Sequence, residues 1–469
     1  MFTGKIPFPT FIIYLFPAFK PIAPPDLNTH VANIGDLVSE FFPYHMLASS
    51  AWSDGFPLWN PYLLSGVSFI ANPQSALFYP PNALYYLLPT ALAWSIGFLL
   101  RILLAGFFTA LILRRIGGST AGSLVAGLLF AFSGFITAWN GMAMSDAAIW
   151  LPLICYAVVR LHEDRSAASL VIAAGAFAMS VLAGHPETAA HLAVTGSSLA
   201  VFLALYHSDT EQARRPIQYL LLFCGAALLA AGLAGVQILP TAEWLPKISR
   251  TLDVRWPPAP LWAALGYVSR DVLRPVNSFG LQIPEHAAYI GMFAFAVFPL
   301  AWLHERRRYV VFFTLSTIAA FCTAYGVGPL LSLSYRLPVI GGLKNHRLIL
   351  VVLFGIAVLA GLGTTALERL RPDNHKLRIR AGMSVLVGFC LALLMIYAVR
   401  LHVQFVVEPS RFPKVSLLLL IVSAAVVVWQ NSRIGVLWDL SCVLNTAFRI
   451  SLGDLPYRDF PIPFAGNAW

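Results

Sequence analysis

Residues 92–115 read LAWSIGFLLRILLAGFFTALILRR. One charge, Arg101, interrupts the apolar run before Arg114 and Arg115 close it. A helix rises about 1.5 Å per residue, so a run this long crosses the roughly 30 Å hydrocarbon core of a bilayer. The stretch therefore predicts a transmembrane helix that ends in a basic turn. Comparable runs stand at 119–139, 147–161, 166–184, 186–206, 216–236, 288–304, 309–326, 347–366, 381–400 and 414–430. A shorter run, 8–19, contains Pro9 and Pro17 and reads as a distorted first helix. The expected fold is an all-α integral membrane protein with about 11–12 transmembrane helices.

Composition leads to the same solvent. The chain has 469 residues, 58% of them hydrophobic and 11% charged, with a mean hydropathy of +0.73. A soluble domain carries about 25% charged residues. The net charge of +10 does not indicate nucleic acid, because its arginines sit in short clusters between apolar runs. Of the five cysteines, Cys155, Cys224, Cys322 and Cys390 lie inside such runs without a CxxC pair, and read as small core residues. The sequence shows neither a metal motif nor a cleavable leader.

The basic clusters alternate. Arg114–Arg115, Arg160 with Arg165, Arg214–Arg215, Arg306–Arg308 and the group from Arg369 to Arg380 occupy every second loop, which the positive-inside rule places in the cytoplasm. The other loops, 20–91, 140–146, 184–187, 237–287, 327–346 and 401–413, then face outward and hold most of the polar residues. Two are long, 20–91 and 237–287. Within them Pro57–Pro61 and Leu261–Val268 read as helices lying in the interface.

The first long loop contains GDLVSEFFPYHMLASSAWSDGFPLWNPYLLSGVSFIANPQSALFYPPN, residues 35–82. Asp36 stands at the membrane face and reads either as a proton acceptor or as the N-cap of a helix over Leu37–Ser50. Glu40 and Asp54 share the loop. Trp52, Trp59 and Tyr79 suit either sugar stacking or interfacial anchoring. Further on, His185 and Glu187 share a tight turn with His191 one helical turn beyond, which suits a metal pair, a sugar-hydroxyl site or a polar helix start. Asp146 reads as a ligand-binding carboxylate or a cap. Arg101 lies inside a span, where a charge is costly and marks function by default, but its partner is not legible.

The 35–82 segment resembles the opening loop of the YfhO-like bacterial membrane proteins. The parts that match are Asp36, Phe42–Pro43, the Gly55–Pro61 run, Gly66, and Asn72–Pro80 with its Asn-Pro-Gln start. Weaker matches follow at Ser133–Gly134, Asn140, Trp150–Pro152, Gly184–Glu187, Gln237–Pro240, Glu243, Glu285, Tyr289, Gly291, Tyr325–Gly326, Leu337–Pro338 and Lys344–Arg347, so the resemblance covers about residues 30–365. That family is similar to the GT-C glycosyltransferases. The resemblance implies a multi-pass protein of the bacterial cytoplasmic membrane. Its outward-facing site would transfer a sugar from a polyprenyl-phosphate donor to a cell-envelope acceptor, with membrane lipid around it. It implies Asp36 as catalytic base, with Asp54 and Glu40 next. Trp59, Asn60, Gln74, His185, Glu187 and Glu285 become substrate-binding candidates.

An anionic lipid phosphate needs cations, and Lys344, His346 and Arg347 stand where its headgroup would lie, although snorkelling anchors would look the same. No organic cofactor is expected, and a divalent metal is left open. The competing reading is a transporter or flippase of a lipid-linked or anionic substrate; an inactive family member is a third. Residues 1–430 form the expected membrane domain. The tail 431–469 carries Gly453–Pro461, which echoes Gly35–Leu37 and resembles the first outward loop of other GT-C transferases. It reads as the start of a second unit, a fusion or frame error, or a coincidence.

Overall fold

The computed structural model describes residues 36–63, 66–206, 216–247, 255–268, 287–337 and 340–369, with the isolated positions Gly382 and Gly388. The run 8–19, the remainder of the spans expected at 381–400 and 414–430, Glu285 and the tail 431–469 lie outside the described residues.

The chain is an all-α multi-pass membrane protein. A single π-helical turn, Leu37–Phe41, leads into α1 (Phe42–Asp54). A two-residue hairpin follows, β1 (Trp59–Asn60) against β2 (Val67–Ser68), with Trp59 opposite Ser68. Pro57–Pro61, expected as an interfacial helix, contains this strand instead: two prolines within five residues deny a helix the donors it needs. After two 3-10 turns come α2 (Leu84–Leu87) and the long α3 (Thr90–Arg115). The run 119–139 splits into α4 (Thr120–Ala131) and α5 (Gly134–Ala138), broken at Phe132–Ser133. Next are α6 (Ala143–Ala148), α7 (Leu151–Asp164), α8 (Ala167–Leu182), α9 (Pro186–Leu205), α10 (Pro216–Leu233) and α11 (Gly235–Trp244). The last group is α12 (Met292–Val297), which passes into a 3-10 stretch, α13 (Arg307–Tyr325), α14 (Leu330–Ser334) and α15 (Ile349–Glu368). Among the described residues six helical segments are long and apolar enough to cross a membrane, and three shorter apolar helices accompany them.

Local chemistry sets the helix starts. Ser119 and Ser166 accept from the backbone N–H groups of Gly122 and Ser169 at 3.0 and 3.2 Å, and Pro152 and Pro186 occupy first-turn positions where no N–H is needed. α15 is the buried centre, packed against α4, α13 and the 298–303 stretch. Lipid offers no hydrophobic drive between helices, so close backbone approach carries the packing. At the α4–α15 crossing Gly122 faces Gly361. A Cβ on Gly122 would collide with Thr365 Oγ1 and the Gly361 carbonyl. Gly122→Ala is expected to cost about 1–3 kcal/mol, read as a lower melting temperature in detergent.

The basic turns meet at one end of the bundle. Arg115 pairs with Glu163 and Asp164, each at 2.7 Å, Arg308 reaches Glu163 at 3.4 Å, and Arg369 reaches the Gly117 carbonyl at 3.3 Å and Glu305 at 3.6 Å. The 139–142 and 184–186 turns pack instead against the opening segment, at Leu37 and at Pro73. Among the described residues, the basic turns expected on one side thus come together, and two of the turns expected on the other side meet the opening segment.

Candidate functional site

Asp36 opens the π-helical turn with helical backbone angles and is exposed. Its side chain makes no capping hydrogen bond, so it does not serve as the helix N-cap. Asp36, Glu40 and Tyr44 recur every four residues and lie along one stripe. Glu40 is half-buried. Burial first, and then the charge of Asp36, raise its carboxyl above the usual carboxylate range. A carboxyl held that way is penalised when ionised. Below the ordinary carboxylate range both folded and unfolded chains hold the proton and nothing is lost; stability falls as pH rises from the ordinary value to the raised one, and stays reduced above it. Glu40→Gln is accordingly expected to raise the melting temperature at neutral pH and to leave it unchanged in acid, measured by thermal scans at both pH values.

The next pieces fix the shape of the segment. Asn60 is buried and its Oδ1 accepts from the Tyr62 backbone N–H at 3.0 Å, a turn-holding role. Trp59 is 53% exposed and lays its indole against Gly66. Asn72 Oδ1 accepts from the Gln74 backbone N–H at 3.0 Å, which starts a 3-10 turn and leaves Gln74 half-buried. Asp54 ends α1, and its side chain lies outside the described residues.

Arg101 has a partner. Its Nε and Nη2 donate to the two oxygens of Asp146 at 2.7 and 2.9 Å, with both residues buried. Asp146, read from sequence as a cap or a ligand-binding acid, is instead the counter-ion of this span, since a guanidinium kept out of water must be matched. Tyr79 ties the opening segment to the pair: its hydroxyl donates to the Asp146 carbonyl at 3.3 Å and accepts from Trp150 Nε1 at 3.0 Å. His45 stacks on Tyr85 at 3.9 Å between centroids, with rings 5° from parallel. Burial, and then the Arg101 charge, push His45 down to about 3, so it is a neutral ring at physiological pH. A cavity of about 10 Å³, lined among others by Tyr79, Asn82, Tyr85, Arg101 and Asp146, has room for about one water.

A second cluster forms around Arg347. Its Nη1 donates to Glu187 Oε2 at 2.5 Å and lies 3.3 Å from His185 Nε2. His185 caps α9 by accepting from the Thr188 backbone N–H at 3.1 Å. Gly184 makes that turn at φ +92°, where a side chain would also strike the Pro73 carbonyl, so the 72–76 turn packs directly against it. His191 Nε2 lies 3.3 Å from Asn345 Oδ1, and Asn345 Nδ2 donates to the Ile340 carbonyl at 3.1 Å. Lys344 sits 4.5 Å from the centre of the Trp256 ring, and His346 is half-buried beside it. No group of three or more His, Cys, Asp or Glu side chains among the described residues is placed to hold a metal ion.

The turn 139–142 joins the two halves. Leu37, next to Asp36, reaches Gly141, and the Arg347 guanidinium lies 5.8 Å from the Trp139 ring. Trp139 carried no signal in the sequence beyond being one tryptophan among twelve.

No family model matches the chain, and no curated protein does. Two solved structures are similar to it. One is the arabinofuranosyltransferase AftD from Mycobacteria, at a TM-score of 0.47 and 14% identity, covering 77% of this chain and 25% of that one. The other is the archaeal oligosaccharyltransferase AglB from Archaeoglobus fulgidus, at a TM-score of 0.39 and 14% identity, covering 77% of this chain and 51% of that one. The chain thus spans a quarter of the first and half of the second. At these scores the likeness assigns no residue a role.

Proposed function

We propose that the chain is a GT-C-type membrane glycosyltransferase that moves a sugar from a polyprenyl-phosphate donor to an acceptor hydroxyl, such as that of a cell-envelope glycopolymer. The observation that carries this reading is that Leu37, next to the exposed Asp36, and the buried Arg347 guanidinium both lie against the 139–142 turn. The positive-inside rule makes the end away from the basic turns the extracytoplasmic face of a bacterial cytoplasmic membrane. The resemblance of residues 35–82 to the YfhO-like opening loop supports the same site.

Asp36 takes the proton of the acceptor hydroxyl, whose oxygen bonds to the anomeric carbon. The bond from that carbon to the phosphate oxygen breaks, and the electron pair leaves on polyprenyl phosphate. Arg347, with Lys344 and His346 near it, stabilises the charge that develops there. A single displacement inverts the anomeric centre. Trp59 offers an exposed ring face for a sugar. Gln74 and His185 line the same end. Glu40 and Asp54 are the alternative bases.

Arg101 is the feature that favoured transport. Its two-pronged bond to Asp146 gives it a structural use, which supports the transferase over a relay of intramembrane charges. The reading is tested by offering radiolabelled polyprenyl-phosphate sugars to membranes that contain the protein. Transfer to an endogenous acceptor is expected, and no transfer from any donor refutes it.

A further inference from the structure

The Arg347 guanidinium, the proposed phosphate ligand, is already engaged. Its bond to Glu187 joins the turn before α15 to the first turn of α9, and both side chains are 8% exposed. The pair is neutral as a unit. A phosphate brought against it would add a negative charge beside the buried Glu187 carboxylate, which a low-dielectric site disfavours. A phosphate that arrives as the Glu187 carboxylate moves off exchanges one oxyanion for another, and the charge balance is kept. The site also lacks an acceptor. Trp139, 3% exposed and beside the guanidinium, has an indole N–H with no hydrogen-bond partner among the described residues. That group can only donate, so only an acceptor completes it.

We propose that Glu187 is a stand-in for the donor phosphate. It holds Arg347 while the site is empty. A polyprenyl-linked phosphate displaces it, and the phosphate oxygens take over Arg347 and the indole N–H of Trp139. This rests on the transferase reading above. The exchange also selects the ligand. Free phosphate gains only the replacement of one ion pair by another. A lipid-linked phosphate adds the burial of its apolar chain, so it displaces the carboxylate where the free ion does not.

The test uses the full chain in nanodiscs of neutral lipid, with three probes: polyprenyl monophosphate, the polyprenol of equal length, and inorganic phosphate. Binding is read by native mass spectrometry and by the shift in melting temperature. Wild type is expected to bind polyprenyl phosphate and not inorganic phosphate. Glu187→Gln is expected to tighten polyprenyl phosphate by about tenfold, the factor one charge-assisted hydrogen bond commands, and to gain binding of inorganic phosphate. Adding Arg347→Met should erase both gains. Trp139→Phe should weaken polyprenyl phosphate by about fivefold and leave polyprenol unchanged. If Glu187→Gln does not accumulate, Glu187→Asp carries the test: a shorter arm with the same charge should also tighten binding. Unchanged or weaker binding in a Glu187 variant that folds, while wild type binds, overturns the stand-in and leaves the transferase reading intact. Failure of folded wild type and Glu187→Gln alike to bind polyprenyl phosphate overturns both.

Discussion

Asp36→Asn is expected to lower sugar transfer by about 10²–10⁴-fold, the range in which a positioned general base contributes, while the protein inserts and accumulates as wild type does. The two halves of that expectation come from one observation. Asp36 is exposed at the head of a helix and its side chain makes no capping hydrogen bond, so an isosteric amide is expected to leave that helix start in place. With Asp36 as the proposed base, what the amide removes is a place for a proton. Glu40 sharpens the test. Part of the rise in its carboxyl comes from the Asp36 charge, so Asp36→Asn also eases Glu40 toward the usual carboxylate range. If transfer survives the substitution, the base is Glu40 or Asp54, and Glu40→Gln or Asp54→Asn should then show the loss. The measurement is initial rate against pH in membranes matched for protein content.

The largest effect on stability is expected at Asp146. Asp146→Ala leaves the Arg101 guanidinium buried without its counter-ion, and breaking such a pair from one side costs about 3–5 kcal/mol. The anchor of the opening segment is expected to survive, because Tyr79 bonds to the Asp146 backbone carbonyl, which alanine keeps, and Trp150 bonds to Tyr79. The double variant Arg101→Met with Asp146→Leu removes both charges and is expected to recover most of the loss, because matched apolar groups need no partner. Thermal unfolding in detergent checks both. A single variant as stable as wild type would show the pair to be solvated.

How much of this was legible before the fold can be argued from particular residues. Most helix positions and the grouping of the described basic turns were legible, because span length and the cost of arginine in lipid are local properties: Arg115, Glu163, Arg308 and Arg369 do meet at one end. The break of the 119–139 run at Phe132–Ser133 was not, since both pieces are equally apolar. Nor was the strand in Pro57–Pro61, which had read as an interfacial helix despite its two prolines. Arg101 was flagged by its cost, but its partner lies 45 residues away on another helix. Glu187 and Arg347 were each named for substrate and are found on one another, 160 residues apart.

By itself, then, the sequence determined a multi-pass helical membrane protein, its two faces, and a polar opening segment headed by Asp36. Hydrophobicity and charge act residue by residue, and the bilayer reads them directly. Only the tertiary structure decided which charges neutralise which, that Asp36 does not cap its helix, and that Trp139 brings an idle donor beside Arg347. Those are relations between distant parts of the chain, set by how α3, α6, α9 and α15 pack, and no local pattern encodes them.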